Sequence, residues 1–240
     1  MLHIFGDIMK INAIHTKIYK PEIMTCPKCK KNLKYAYTVS FKTIQFTSGK
    51  LIKIKNMGYL CPYCNDNIIY PSLTASKLAY KGLTYSCKTL CYIDYYKEKG
   101  LSREIIADEF EKMGLIITSR NIDFLYNKFK SYYDKDLESS FDNSFKEMLK
   151  EYNEIRLSID LITIKEKYYI LFYNGFNGNI INKYISSSFD DKGLLSLLNK
   201  ILNNEKLKYV ISVRGNVSPF ISIMKSISKS NIKYISYTKF

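Results

Sequence analysis

The sequence predicts a multidomain α+β chain, and three observations carry that expectation. Cys26-Pro27-Lys28-Cys29 and Cys61-Pro62-Tyr63-Cys64 are matched C-P-x-C knuckles around two strand-like segments. Residues 101–133 read as two short helices joined by a turn containing Gly114. After Arg156 the pattern turns to three strands, a helix, a fourth strand, a helix and a last short strand, which is an α/β order. The expected domains are therefore 1–70, 71–135 and 136–240.

The knuckles identify a metal site. A two-residue spacer lets both sulfurs of one knuckle reach the same ion, and four thiolates suit tetrahedral Zn2+. With Cys26, Cys29, Cys61 and Cys64 all engaged, no coordination position is left for catalysis, so the expected zinc is structural. Between the knuckles, residues 35–44 and 51–55 alternate apolar with polar and are rich in β-branched and aromatic side chains. Ser48-Gly49 between them signals a turn. Strands flanked by cysteine knuckles make a zinc ribbon, whose small core leaves much of the folding free energy to the metal. Residues 1–20 fit no clear pattern.

In the second segment, residues 76–99 read as a helix or helical pair interrupted near Gly82 and ended by Gly100. Ser102 is a plausible N-cap for a helix with Ile105, Ile106 and Phe110 on one face. Thr118 or Ser119 caps the next helix, whose apolar stripe is Ile122, Leu125, Tyr126 and Phe129. Residues 134–152 form a polar bridge, partly helical. Strands are expected at 157–162, 167–173, 179–185 and 209–213, a helix at 191–202 capped by Asp190 or Asp191, a second at 219–228, and a short strand at 233–236. Cys87 and Cys91, four apart on a helix, read as small packed residues.

The chain has 240 residues, 46% of them hydrophobic, which is enough for a substantial core. Its net charge of +15 is uneven: residues 1–100 carry +11, residues 101–133 carry 0 and residues 134–240 carry +4. A basic excess around the zinc module points to a polyanionic partner. No apolar run is long enough to span a bilayer and no secretory leader pattern opens the sequence, so no membrane partner is expected. The expected location is intracellular, cytoplasmic or nucleoid-associated. Six cysteines in such a setting favour metal over disulfides.

Two helices joined by a short turn have the layout of a helix-turn-helix, in which the second helix enters the major groove of double-stranded DNA. Arg120 and Asn121 stand at that helix's N-terminus, where Arg suits guanine and Asn suits adenine. Asn127, Lys128 and Lys130 follow along it, where phosphate contacts are expected. Lys28, Lys30, Lys31, Lys34, Lys53 and Lys55 of the ribbon are the expected phosphate contacts.

Gly100-Leu101-Ser102-Arg103-Glu104-Ile105-Ile106-Ala107, then Gly114 and Thr118-Ser119-Arg120-Asn121-Ile122, resembles the helix-turn-helix of insertion-sequence DDE transposases. Many of those proteins also begin with a C-P-x-C zinc ribbon. The resemblance covers the chain from about Cys26 onward, and it implies a ribonuclease-H-like fold for residues 136–240. In the family that fold holds two Mg2+ ions on three acidic residues, which clamp an in-line phosphoryl transfer. Asp160 matches the first acid. The second acid's place after the fourth strand is taken by Val213, with Arg214 beside it, and the chain ends at Phe240 before the helix that bears the third. The resemblance therefore implies a truncated, catalytically incomplete core, with Asp160 a relic and the fold kept as a scaffold or for assembly into a homodimer. Two alternatives stand beside this reading: an active nuclease or transposase subunit, using Mg2+ at Asp160 with acids from a second chain, and a protein-binding module of a transcription assembly.

Overall fold

The computed structural model describes residues 15–78, 80–134, 136–212, 218–228 and 232–236. They comprise seven helices and two mixed sheets. Val213 and Arg214 lie outside the described residues, as do residues 1–14.

The first strand along the chain is β1 (Thr16–Tyr19), in a segment whose sequence pattern is uninformative. β2 (Lys34–Gln45) and β3 (Leu51–Leu60) then pair antiparallel, and β1 lies parallel to β3 on its other side. At the hairpin tip Gly49 takes φ +74° and its N–H meets the Phe46 carbonyl at 2.9 Å. A Cβ at Gly49 would lie 2.6 Å from the Gly114 carbonyl oxygen, so glycine here permits both the turn and the approach of the hairpin to a later loop. The inner face of this sheet, Ile44, Ile52 and Ile54, packs on Ala75 and Leu78 of α1 (Leu73–Leu78). The Glu22 carboxylate accepts from the N–H groups of Leu73 and Thr74, each at 2.8 Å, and so caps that helix.

The helical stretch expected over 76–99 is broken into α1 and α2 (Cys87–Glu98). The break holds Gly82, at φ +78°, and Ser86, whose hydroxyl accepts from the Thr89 N–H to start α2. With α3 (Arg103–Lys112) and α4 (Ser119–Lys130), α2 forms a three-helix unit. Ser102 and Thr118 cap α3 and α4 through the N–H groups of Ile105 and Asn121. Ile106, Phe110, Ile122, Leu125 and Phe129 bury the common core. Ile105 departs from the expected stripe: it is 51% exposed, because a helical step of about 100° carries it off the face that Ile106 and Phe110 share.

The polar bridge becomes a full helix, α5 (Leu137–Tyr152), capped by Asp136 and closed by Asn153 at φ +60°. The second sheet contains β4 (Ile155–Ile164), β5 (Lys167–Asn174), β6 (Ile180–Ser186), β7 (Leu207–Ser212) and β8 (Lys233–Ser236), with α6 (Lys192–Leu202) and α7 (Ser218–Ile227) between its later strands. Its order is β6-β5-β4-β7-β8, antiparallel from β6 to β4 and parallel from β4 to β8.

The register of β4 and β5 separates two faces. Leu157, Ile159, Leu161, Ile170 and Phe172 meet α5, α6 and α7 in one cluster. Ile162, Ile164, Tyr169, Leu171 and Tyr173 meet α2, α3 and α4 in another. The first cluster also takes in Cys26, Tyr59, Cys61 and Tyr70 of the knuckle region, so the apolar clusters cross residues 70 and 135 rather than stopping there. Each fully buried Leu or Ile in these clusters contributes about 1.5–3 kcal/mol. No helix among the described residues is long and apolar enough to cross a membrane.

Candidate metal centre and nucleic-acid interface

Hairpin pairing brings the two knuckles together. Lys34 opposite Leu60 brings the chain after Cys29 alongside the chain before Cys61. Each knuckle ends in a left-handed residue, Lys30 at φ +61° and Asn65 at φ +51°, and the Cys26 carbonyl accepts from the Lys30 N–H at 2.9 Å. The second loop is closed by paired backbone bonds between Tyr59 and Tyr70. As a result the four Sγ atoms of Cys26, Cys29, Cys61 and Cys64 lie within 4.8 Å of one another. Cys26 and Cys64 are separated by 3.6 Å, and Cys29 and Cys61 by 3.4 Å. Both spacings are too long for a disulfide and close to the ~3.8 Å sulfur–sulfur edge of a tetrahedral zinc–thiolate site.

The electrostatics suit a dication. The Lys31 backbone N–H lowers the Cys29 thiol to about 7, so a thiolate forms readily there. Cys64 moves the other way, pushed up first by its hydrogen bond with Cys29 and then by burial. Burial likewise raises Cys61. Four thiolates this close repel one another unless a cation sits between them, and Zn2+ supplies that charge. Tyr70 adds a second sign of fit: its hydroxyl is buried without a hydrogen-bond partner, and burial first, then the nearby Cys26 thiol, raises its pKa. A metal-bound Cys26 thiolate would accept the Tyr70 O–H. Cys87 and Cys91 are apart from this group: both are buried, Cys87 Sγ lies 3.2 Å from the Tyr80 hydroxyl, and burial raises the Cys91 thiol.

The second site is the outer face of α4. Arg120, Phe124 and Asn127 are exposed at i, i+4 and i+7. Lys130 is exposed to one side, and the half-buried Lys128 lies over the Tyr132 ring at 5.6 Å. Asn121 does not join this face, because its amide donates to the Tyr85 hydroxyl at 3.3 Å. Phe124, 54% exposed, is a member of the face that sequence reasoning missed; its spacing from Arg120 was the available signal. Asp123, the residue before Phe124, is held by Lys97 and Arg103, which draw its carboxyl below the usual range.

The ribbon lysines divide into two sets. Lys28 pairs with Asp66 at 3.0 Å and Lys30 with the buried Glu154 at 2.9 Å, and Glu154 also holds Arg156 at 2.6 Å. These two lysines fasten the first knuckle, a use that local sequence cannot disclose. Lys31 lies over the Tyr63 ring at 4.2 Å. Lys34 is exposed, and Lys53 and Lys55 stand on the sheet face opposite α1, with Lys55 between Ile18 and Phe41 in the strand register.

Asp160 sits in the central strand β4, facing the helices of the N-terminal half. Its carboxylate accepts from the Lys77 ammonium at 2.8 Å, and Lys77 also donates to Ser158 at 2.8 Å. The pair is sealed from solvent, with Lys77 2% and Asp160 1% exposed. Tyr173 closes it from the side, its ring 4.9 Å from the ammonium. Among the described residues, no three acids gather around Asp160; the four cysteines are the one metal-ligand cluster.

The chain matches no protein-family model, and no curated protein is similar enough to count as a relative.

Proposed function

We propose that this chain is a transposase-derived protein that binds double-stranded DNA. It uses its zinc ribbon and α3–α4 helix pair for binding and keeps a ribonuclease-H-like unit as a scaffold. The observation that carries the reading is the outer face of α4, where Arg120, Phe124 and Asn127 project from a helix whose opposite face is locked into the three-helix core. Arg and Asn read base edges in the major groove, and an aromatic ring suits a thymine methyl. Lys34, Lys53 and Lys55 add positive charge on the ribbon for the phosphate backbone.

The β4–β8 unit supports the same descent. The resemblance implies one acid in the first strand of this unit and a second after the fourth. β4 and β7 are those strands, and they are neighbours in the sheet, so acids at both places would meet. Here Asp160 meets Lys77 instead. An ammonium at hydrogen-bond distance supplies the positive charge that a divalent cation would otherwise bring. That favours a scaffold over the nuclease reading, in which Mg2+ would need Asp160 exposed.

The test is a duplex titration with the zinc-loaded chain after selection of its preferred site from random sequences. Arg120→Ala is expected to weaken the selected site by about 1–3 kcal/mol while leaving random duplex nearly unchanged. Selection that enriches no sequence, together with an unchanged Arg120→Ala, removes α4 as the reading element.

A further inference from the structure

A cleft of about 660 Å3 opens between β2, the end of α1, the end of α4 and the turn joining β5 to β6. None of the roles described above uses it. Its wall carries Lys42 and Lys81, the amides of Asn177 and Asn179, and the rings of Tyr80 and Tyr132, and no carboxylate lines it. Lys42 is fixed in place by donating to the Tyr80 carbonyl at 3.0 Å, and burial lowers its pKa, so an anion beside it would be favoured. Lys81 is exposed at the rim. Val39 is exposed on the β2 wall, and Tyr37, 53% exposed and paired with Gly58 two residues along β3 from the cleft-lining Asn56, lies just outside it. The surrounding charge suits an anion: residues 15–60 hold ten lysines and one acid, Glu22, and that acid is engaged at the start of α1.

We propose that this cleft, with Tyr37 at its approach, binds a segment of single-stranded nucleic acid. Phosphates lie against Lys42 and Lys81, and bases stack on exposed aromatic rings. Unpaired bases are required, because a duplex hides its base faces from stacking. The site is separate from the outer face of α4, so it extends the reading of the chain as a DNA-binding protein without depending on α4.

The experiment measures anisotropy of a labelled oligo-dT and of a duplex of equal length that carries the selected site, using the zinc-loaded full chain. Tyr37→Ala is expected to lower oligo-dT affinity about tenfold, and Tyr37→Phe to restore it. Lys81→Gln is expected to reduce the salt slope for oligo-dT by about one. Both variants should leave duplex affinity unchanged, whereas Arg120→Ala should do the reverse. If Tyr37→Ala and Lys81→Gln leave oligo-dT binding intact, the cleft proposal is overturned while the role of α4 stands. It is also overturned if oligo-dT does not bind and Tyr37→Ala instead abolishes a concentration-dependent dimer in sedimentation, since the surface then serves a second copy of the chain. Loss of duplex binding alone, with the Tyr37 effect preserved, overturns the reading of α4 and leaves the cleft.

Discussion

Lys77 and Asp160 form a buried ion pair at 2.8 Å across 83 residues of sequence, joining a short helix under the ribbon to the central strand of the second sheet. Each charge is costly to bury, and their mutual attraction together with the Ser158 hydrogen bond offsets that cost. The Ser158 hydroxyl in turn donates to the Ile211 carbonyl at 2.8 Å, so the pair is tied into β7 as well.

Removing one partner leaves the other charge stranded. Lys77→Met is expected to destabilise the chain by about 3–5 kcal/mol in urea unfolding. The double variant Lys77→Met with Asp160→Leu should recover most of the loss. A single variant as stable as the parent would show that the pair contributes nothing to folding.

With Asp160 sealed under Lys77, supercoiled plasmid should stay intact in Mg2+ or Mn2+. Metal-dependent nicking that vanishes in Asp160→Asn would return the chain to the nuclease class.

Zinc should be bound one per chain, and chelation should unfold the ribbon before the β4–β8 sheet. Cobalt substitution should give the thiolate charge-transfer absorption of a four-cysteine site. Replacing Cys64 with Ser should abolish that signature, whereas Cys91→Ser should leave it unchanged, because Cys91 is buried away from the cluster.

Acid should loosen α6. The Asp191 carboxylate accepts from the Leu194 N–H at 2.9 Å and from the Tyr184 hydroxyl at 2.8 Å, which hold its carboxyl below the ordinary 3.8. A depressed folded pKa means that the stabilisation is complete above the unfolded value and disappears as pH falls through the folded one. The stability difference between the parent and Asp191→Ala should therefore be constant above about pH 5 and shrink below pH 4. A difference that grows on acidification would contradict this cap.

Local pattern disclosed much of the fold, and it failed where distant residues decide. Alternation in residues 35–44 and the capping signals at Ser102 and Thr118 gave elements that the structure contains. The knuckle spacing disclosed the cysteine cluster because two sulfurs three residues apart constrain each other locally. β1 was illegible because its four residues owe their order to parallel pairing with β3, not to their own alternation. Lys77 gave no signal, since a lysine on a helix is ordinarily solvated and only the sheet beneath it explains its burial. The pairing of Lys30 was illegible too, as its partner Glu154 lies 124 residues away.

The most direct measurement is duplex affinity against salt for the zinc-loaded chain and its lysine variants. The account predicts a linear fall of log affinity with log salt, a slope reduced by about one in Lys53→Gln and in Lys55→Gln, and no such reduction in Lys30→Gln, whose ammonium is held by Glu154. A flat salt profile, or no duplex binding at low salt, would contradict it.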